Sequence, residues 1–218
     1  IVHDVRNVFS FIERPYSPVR YKELLVAPNE MRNRFIRLIN EEIKNHNTGK
    51  PAYIRIKINH ITDPLMVKKL YEAEENGVPV ELIVRGNCSL VAGRPGKGQS
   101  MHVVGVIDRY LEHARIFQFC AAGEDKMFIG SADWMPRNLN SRVEVVTPVY
   151  DPDIKRELAT IISYALRDNM QGRVVDGTDR NLAWQAGGSL PFRSQEALYN
   201  HYLEEAKSSE NISADTPA

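Results

Sequence analysis

The stretch from Ala52 to Val84 limits the fold more than any other part of the chain. Tyr53-Ile54-Arg55-Ile56-Lys57-Ile58 alternates apolar and polar residues with the two-residue period of a strand. Asp63-Pro64 then supplies a helix start. The carboxylate caps free backbone N–H groups, and proline, which has no donor to lose, suits the first helical position. Asn76-Gly77 should end that helix, and Val80 to Val84 is an apolar run suited to a buried parallel strand. Upstream, Tyr21 to Ala27 reads as another strand. Pro28-Asn29-Glu30 opens a helix to about Asn45, with Met31, Phe35, Leu38, Ile39 and Ile43 apolar and Asn47-Thr48-Gly49 closing it. This β-α-β-α-β order predicts an α/β fold with a parallel core.

In such sheets ligands gather beyond the carboxyl ends of the strands. Lys57 and Asn59 end one expected strand, and Arg85 and Gly86 end the next, so both pairs point toward one rim. A solvated strand-end lysine is the competing reading for Lys57. The rest of the chain adds an N-terminal helix over 1–16, with Val5, Val8, Phe9 and Ile12 at helical spacing. Further strands are expected at Met101–Ile107, Ala114–Phe119, Lys126–Ile129 and Arg142–Thr147, and an amphipathic helix at Pro152–Arg167. Residues 171–190 read as irregular, Ser194 caps a last helix to Ala206, and 208–218 read as a small, polar, acidic, disordered tail. The domain is therefore expected to span 1–206, followed by a tail over 207–218. Val91 to Ser100 lacks the Walker spacing despite its Gly, Pro and Lys content. It reads as a surface loop, with a rim loop touching phosphate as the alternative.

Candidate chemistry lies between Arg109 and Asn138. His113 titrates near neutrality when unperturbed, at about 6.5, so it could attack phosphorus or donate a proton. Arg115 lies two residues on, and an extended segment would turn both side chains into one cavity. Its planar guanidinium matches phosphate oxygens. Downstream, Gly130 permits close backbone approach, Ser131, Trp134 and Asn138 can donate hydrogen bonds, and Arg137 adds charge. Core packing competes for Trp134 and Met135, and plain solvation competes for Arg137. Asp133 repels phosphate, so it is expected to orient a histidine or an arginine.

Three runs carry a resemblance. Leu82-Ile83-Val84-Arg85-Gly86-Asn87-Cys88-Ser89-Leu90, Arg109-Tyr110-Leu111-Glu112-His113 and Gly130-Ser131-Ala132-Asp133-Trp134-Met135-Pro136-Arg137-Asn138 resemble the bacterial polyphosphate kinase family, specifically the last catalytic domain of its long, multi-domain form. The likeness extends to about Tyr202. It implies a phospholipase D-like mixed sheet with the parallel core flanked by helices, plus a C-terminal helix. It also implies reversible transfer of the terminal phosphate of ATP to inorganic polyphosphate. In that family one domain supplies a histidine that becomes phosphorylated and a second supplies an assisting histidine. By motif position His113 is the second, and the arginine that contacts ATP maps onto Arg85. The expected binding set for ATP and polyphosphate is Arg85, His113, Arg115, Lys57, Asn59, Ser131, Arg137 and Asn138, with Asp133 orienting.

The wider phospholipase D pattern has lysine where Arg115 stands, aspartate where Cys120 stands and asparagine where Asp133 stands. These departures weigh against the alternative of a dimeric phosphodiesterase or transferase using His113 from each subunit. A non-catalytic polyanion-binding module is the other alternative. No second histidine motif accompanies His113: His3, His60 and His102 lack phosphate-type neighbours two residues on, His46 reads as a helix-end residue, and His201 lies in an amphipathic tail helix. The chain is thus expected to be a fragment, inactive alone, with upstream domains of the same enzyme as partners. Magnesium would be held mainly through the nucleotide and those upstream residues, with no metal site here and no organic cofactor.

Lys plus Arg and Asp plus Glu both number 28, so bulk charge announces no polyanion partner, and a local basic patch must do that work. Nucleic acid is not an expected partner. Hydrophobic residues make up 43%, enough for a sizeable core. Cys88 and Cys120 read as reduced thiols, and no apolar run approaches the roughly 20 residues that span a bilayer. The expected location is the cytoplasm, compatible with peripheral attachment at the inner membrane. The family implies a homo-oligomer, which composition does not show.

Overall fold

A computed structural model describes residues 1–92, 101–178, 180–185 and 190–214. The helices are α1 (Val2–Glu13), α2 (Met31–Asn47), α3 (Pro64–Glu75), α4 (Pro136–Asn140), α5 (Pro152–Arg167) and α6 (Ser194–Ala214). The strands are β1 (Leu25–Ala27), β2 (Ile54–Ile58), β3 (Val80–Val84), β4 (Met101–Val106), β5 (Ile116–Phe119), β6 (Lys126–Gly130), β7 (Glu144–Val149) and β8 (Gly172–Val174). They form one mixed sheet in the order β1-β7-β6-β5-β2-β3-β4-β8.

The parallel core exists, but it is β2-β3-β4, because β2 pairs parallel with β3 and β3 with β4. β1 runs in the same direction as β2 yet sits at the sheet edge, paired antiparallel to β7. The expected neighbourhood of β1 and β2 is filled instead by β5, β6 and β7. Asp63 caps α3 by accepting the Met66 amide at 3.1 Å, with Pro64 at the first position, and Asp151 caps α5 through the amides of Asp153 and Ile154. α3 stops at Asn76, and Gly77 follows at φ +84°, a conformation that favours glycine.

Helices α2 and α3 cover one face, where Phe35, Ile39, Met66 and Leu70 meet Ile54, Ile56, Leu82, Phe117 and Phe119. On the other face Ile162 and Ala165 of α5 meet Ile83, Ile116 and Met127. α1 packs on that second face over β1, through Val8 against Tyr21, Leu24 and Val26.

Several expectations are corrected. The buried face of α1 is Asp4, Val8 and Phe11, while Phe9 and Ile12 are exposed. Asp4 turns inward because its Oδ2 accepts the amides of Lys22, Glu23 and Leu24 at 2.9, 2.6 and 3.0 Å. Those bonds keep 22–24 out of the sheet, so β1 is shorter than the expected Tyr21–Ala27 strand. β8 lies within the stretch read as irregular and pairs antiparallel with β4. α6 continues past Ala206 to Ala214, where a disordered tail was expected. Residues 93–100, most of the Gly- and Lys-bearing loop, lie outside the described residues. Cys88 and Cys120 are both free. Among the described residues no helix is long and apolar enough to cross a membrane.

Candidate active site

The register brings many chain segments to one sheet edge. Ile58 pairs with Val84, Lys57 with Ile116, Ile116 with Ile129, and Gly130 with Val146. The ends of β2, β3, β4 and β6 and the starts of β5 and β7 therefore share the rim, as strand directions require.

Arg85 is the centre of this rim. Its Nε donates to Asn59 Oδ1 at 2.5 Å and its Nη2 lies 3.0 Å from His113 Nδ1. Guanidinium can only donate, so Nδ1 must accept and the ring proton belongs on Nε2. Among the described residues Nη1 of Arg85 takes no protein partner. Asn59 is 1% exposed, and its Nδ2 is buried without a protein partner. A narrow cleft between these groups is lined by Lys57, Asn59, Arg85, Val106, Glu112 and Ala114.

Lys57 is neither solvated nor free for a ligand. It is 6% exposed and paired with Glu112. A buried ammonium needs such a counter-charge, and the contact ties β2 to the residue before His113.

Asp133 organises the next layer. Its Oδ2 accepts Arg115 Nη2 at 3.0 Å, and its Oδ1 accepts Arg115 Nε at 3.2 Å and the amides of Asn59 and His60 at 3.0 and 3.3 Å. Burial opposes ionisation, but the hydrogen bonds and charge of Arg115 and the two amides hold its carboxyl below the usual range. The expectation that Arg115 and His113 open into one cavity is not met. β5 begins only at Ile116, and the Arg115 guanidinium turns to Asp133 and to the His113 carbonyl, the latter at 3.1 Å.

Ser131 and Asn138 converge on a residue that sequence reasoning missed. Glu144, the first residue of β7, accepts from Ser131 Oγ and, at 2.7 Å, from Asn138 Nδ2. Its exposure is 8% and Arg142 stands 4.0 Å away. The available signal was a lone carboxylate opening a β-branched strand at the rim. Arg137 is exposed on the first turn of α4. Trp134 is core: it is fully buried, with its ring 5.1 Å from Phe35 and 5.7 Å from Phe117. Gly130 does allow close approach, but to backbone. A Cβ there would lie 2.5 Å from Val145 O and 2.7 Å from Val146 Cα. Gly86 is similar, since a Cβ would meet Asn59 O at 2.9 Å and the His60 ring at 2.4 Å.

The rim thus offers a fixed cation, an imidazole whose Nδ1 faces that cation, and carboxylates already engaged with their own partners. That set suits an anion. Among the described residues no group of three or more His, Cys, Asp or Glu side chains could hold a metal ion.

Known proteins resemble this chain in sequence and in fold. The family model for polyphosphate kinase C-terminal domain 2 matches residues 24–195. The polyphosphate kinase of Escherichia coli O6:H1 is 38% identical over 210 residues, covering 96% of this chain and 30% of that relative. The crystal structure of polyphosphate kinase from Porphyromonas gingivalis superposes with a TM-score of 0.89 at 38% identity, over 95% of this chain and 32% of that one. NucT from Helicobacter pylori superposes with a TM-score of 0.50 at 14% identity, over 66% of this chain and 94% of that one, a likeness of fold alone. The chain spans about three-tenths of the length of the E. coli relative.

Proposed function

This chain belongs to the polyphosphate kinase family through that C-terminal domain, and on this premise we propose that it supplies one half of a site for reversible transfer of the ATP terminal phosphate to inorganic polyphosphate. The observation that carries the reading is the suspension of Arg85 between Asn59 and His113 on the rim. ATP, ADP and polyphosphate are the small partners, and the rest of the enzyme is the macromolecular one. A phosphate oxygen would be taken first by the Nη1 pair of Arg85, in charge-assisted bonds. Lys57, Arg115, Ser131 and Asn138 support the rim through their carboxylate partners, while Arg137 extends it toward the polymer.

His113 assists rather than attacks. With Nδ1 accepting from Arg85, its Nε2–H offers a hydrogen bond to the bridging oxygen. Drawing Arg85 onto a phosphate frees Nδ1 to take a proton from solvent, and the imidazolium then gives its Nε2 proton to the bridging oxygen as that oxygen's bond to the transferred phosphorus breaks. The phosphorylated histidine lies on the part of the enzyme outside this chain. Among the described residues no His, Cys, Asp or Glu cluster fits a resident magnesium, and the ion would arrive with the nucleotide. The enzyme would work in the cytoplasm, with peripheral attachment to the inner membrane compatible and self-association expected of the family. The family assignment favours this reading over a phosphodiester-cleaving dimer.

Labelling tests the division of labour. The chain is incubated with γ-³²P-ATP and magnesium, and acid-labile, base-stable phosphate is sought in wild type and His113→Ala. No label is expected in either, whereas His113→Ala in the complete enzyme should slow polyphosphate synthesis by about 10²- to 10⁴-fold, the scale of a lost general acid, and leave a measurable residual rate. A label on the chain that disappears in His113→Ala would make His113 the nucleophile and sink the assisting role.

A further inference from the structure

The loop that carries His113 has little to hold it by burial. Residues 107–115 form no helix or strand, and Ile107, Tyr110 and Leu111 are 72%, 61% and 78% exposed. Apolar contact with the sheet therefore cannot fix its conformation. Its anchors are polar: Lys57 holds Glu112 and Asp133 holds Arg115 from the sheet side, and the stretch before Glu112 is held from the start of α6, some 85 residues further along the chain.

Arg193 Nε and Nη2 donate to Asp108 Oδ2 and Oδ1 at 2.9 and 2.6 Å, a two-pronged pair. Gln195 Oε1 accepts the Tyr110 amide at 2.9 Å, while its Nε2 donates to the Tyr110 carbonyl at 2.8 Å and to Glu112 Oε1 at 3.0 Å. The side-chain amide takes the place of the neighbouring strand that the Tyr110 backbone lacks. Glu112 also binds Lys57, and His113 is the next residue.

The anchor is itself fixed. Asp168 is fully buried, and its Oδ2 accepts the Ser194 amide and hydroxyl at 2.8 and 2.6 Å. Its Oδ1 accepts the amides of Met170 and Gln171 at 3.0 and 2.7 Å. A rigid connection therefore runs from the end of α5, through the start of α6, to the backbone two residues before Glu112.

We infer that Gln195, seconded by Arg193, is a positioning residue that sets the place of the His113 ring against Arg85. The clamp itself stands on geometry, and its catalytic consequence rests on the function proposed above.

Gln195→Met in the complete polypeptide tests this, because it keeps length and volume and removes all three hydrogen bonds. Amide hydrogen exchange over 109–113 should rise about tenfold or more, as expected when a local opening loses its restraint. Turnover in polyphosphate synthesis should fall by about 10- to 100-fold, the scale of a small misplacement of a reacting group, with KM within about twofold. In a His113→Ala background the same substitution should cause no further loss, because both changes remove one unit of function. Unchanged exchange over 109–113 would overturn the clamp whatever the reaction. Faster exchange with an additive loss in the His113→Ala background would show that Gln195 acts on general stability, overturning the positioning role. If His113→Ala alone leaves synthesis intact, the functional reading fails, and the exchange result alone decides the clamp.

Discussion

Replacing Asp133 with alanine should have the largest single effect on the rim. The carboxylate holds both ends of the Arg115 fork and two backbone amides, and the side chains of Arg115 and Asp133 are only 11% and 7% exposed. Stranding one partner of such a pair costs about 3–5 kcal/mol. The orphaned amides of Asn59 and His60 would each add roughly 1 kcal/mol if water could not reach them. These terms overlap, so about 4 kcal/mol is expected. At about 2–4 °C per kcal/mol for a domain of this size, Tm should drop by about 8–16 °C. Asp133→Asn keeps an oxygen for the amides and should lose less. Adding Arg115→Met to Asp133→Ala removes the stranded cation and should recover about 2 kcal/mol against the sum of the single changes. Thermal and urea unfolding followed by circular dichroism would read all five proteins, the Arg115→Met single variant included. A loss below about 1 kcal/mol in Asp133→Ala, within the range of an ordinary substitution, or strict additivity in the double variant, would refute the claim that this buried pair organises the rim.

Other outcomes follow from the same geometry. Gly130→Ala drives a Cβ against the backbone of β7 and should cost roughly 3 kcal/mol, the upper end of overpacking, seen as a lower urea midpoint. Arg85→Met should weaken tripolyphosphate or ATP binding by about 1.5–3 kcal/mol, at least tenfold in Kd, by titration calorimetry. Acid should expose opposite signs in different carboxylates. Arg193 beside Asp108, and the partners of Asp133 against its burial, hold both carboxyls below the ordinary range. Each therefore contributes stability that is present above its unfolded value, about 3.9, and lost as pH falls through the folded value. Glu42 is raised by burial, so its contribution is present below its unfolded value and lost as pH rises through the folded one. Asp133→Asn should flatten the acid limb of a stability-versus-pH curve measured in urea.

What the sequence reveals here is local. Asp63-Pro64 and Asp151-Pro152 mark helix starts because the capping carboxylate and the amides it serves lie within a few residues. Strand ends place Lys57, Asn59 and Arg85 on one rim because the β-α-β order makes β2 and β3 parallel. The partners of those residues are not local. Glu112, Glu144 and Gln195 reach Lys57, Ser131 and Tyr110 through sheet register and helix packing, which no spacing rule encodes. α1 was misread for a related reason: periodicity counts apolar residues, whereas Asp4 is drawn inward by three amides some twenty positions away. The need for space at Gly130 is visible in the sequence, whereas the strand β7 that occupies that space is not.

The pairing of β1 with β7 also sets a timetable for the growing chain. Leu25 must wait for Val146, about 120 positions later, which at ribosomal rates of about 5–20 residues per second is roughly 6–24 s. During that interval β1 has no ladder to join, and α1 rests on nothing but β1 and its approach. A product that stops before Glu144 leaves β6 as a bare edge, open to pairing with another chain. The same product lacks the carboxylate that gathers Ser131 and Asn138. Early termination therefore bares a pairing edge and removes the rim's organising carboxylate in the same stroke.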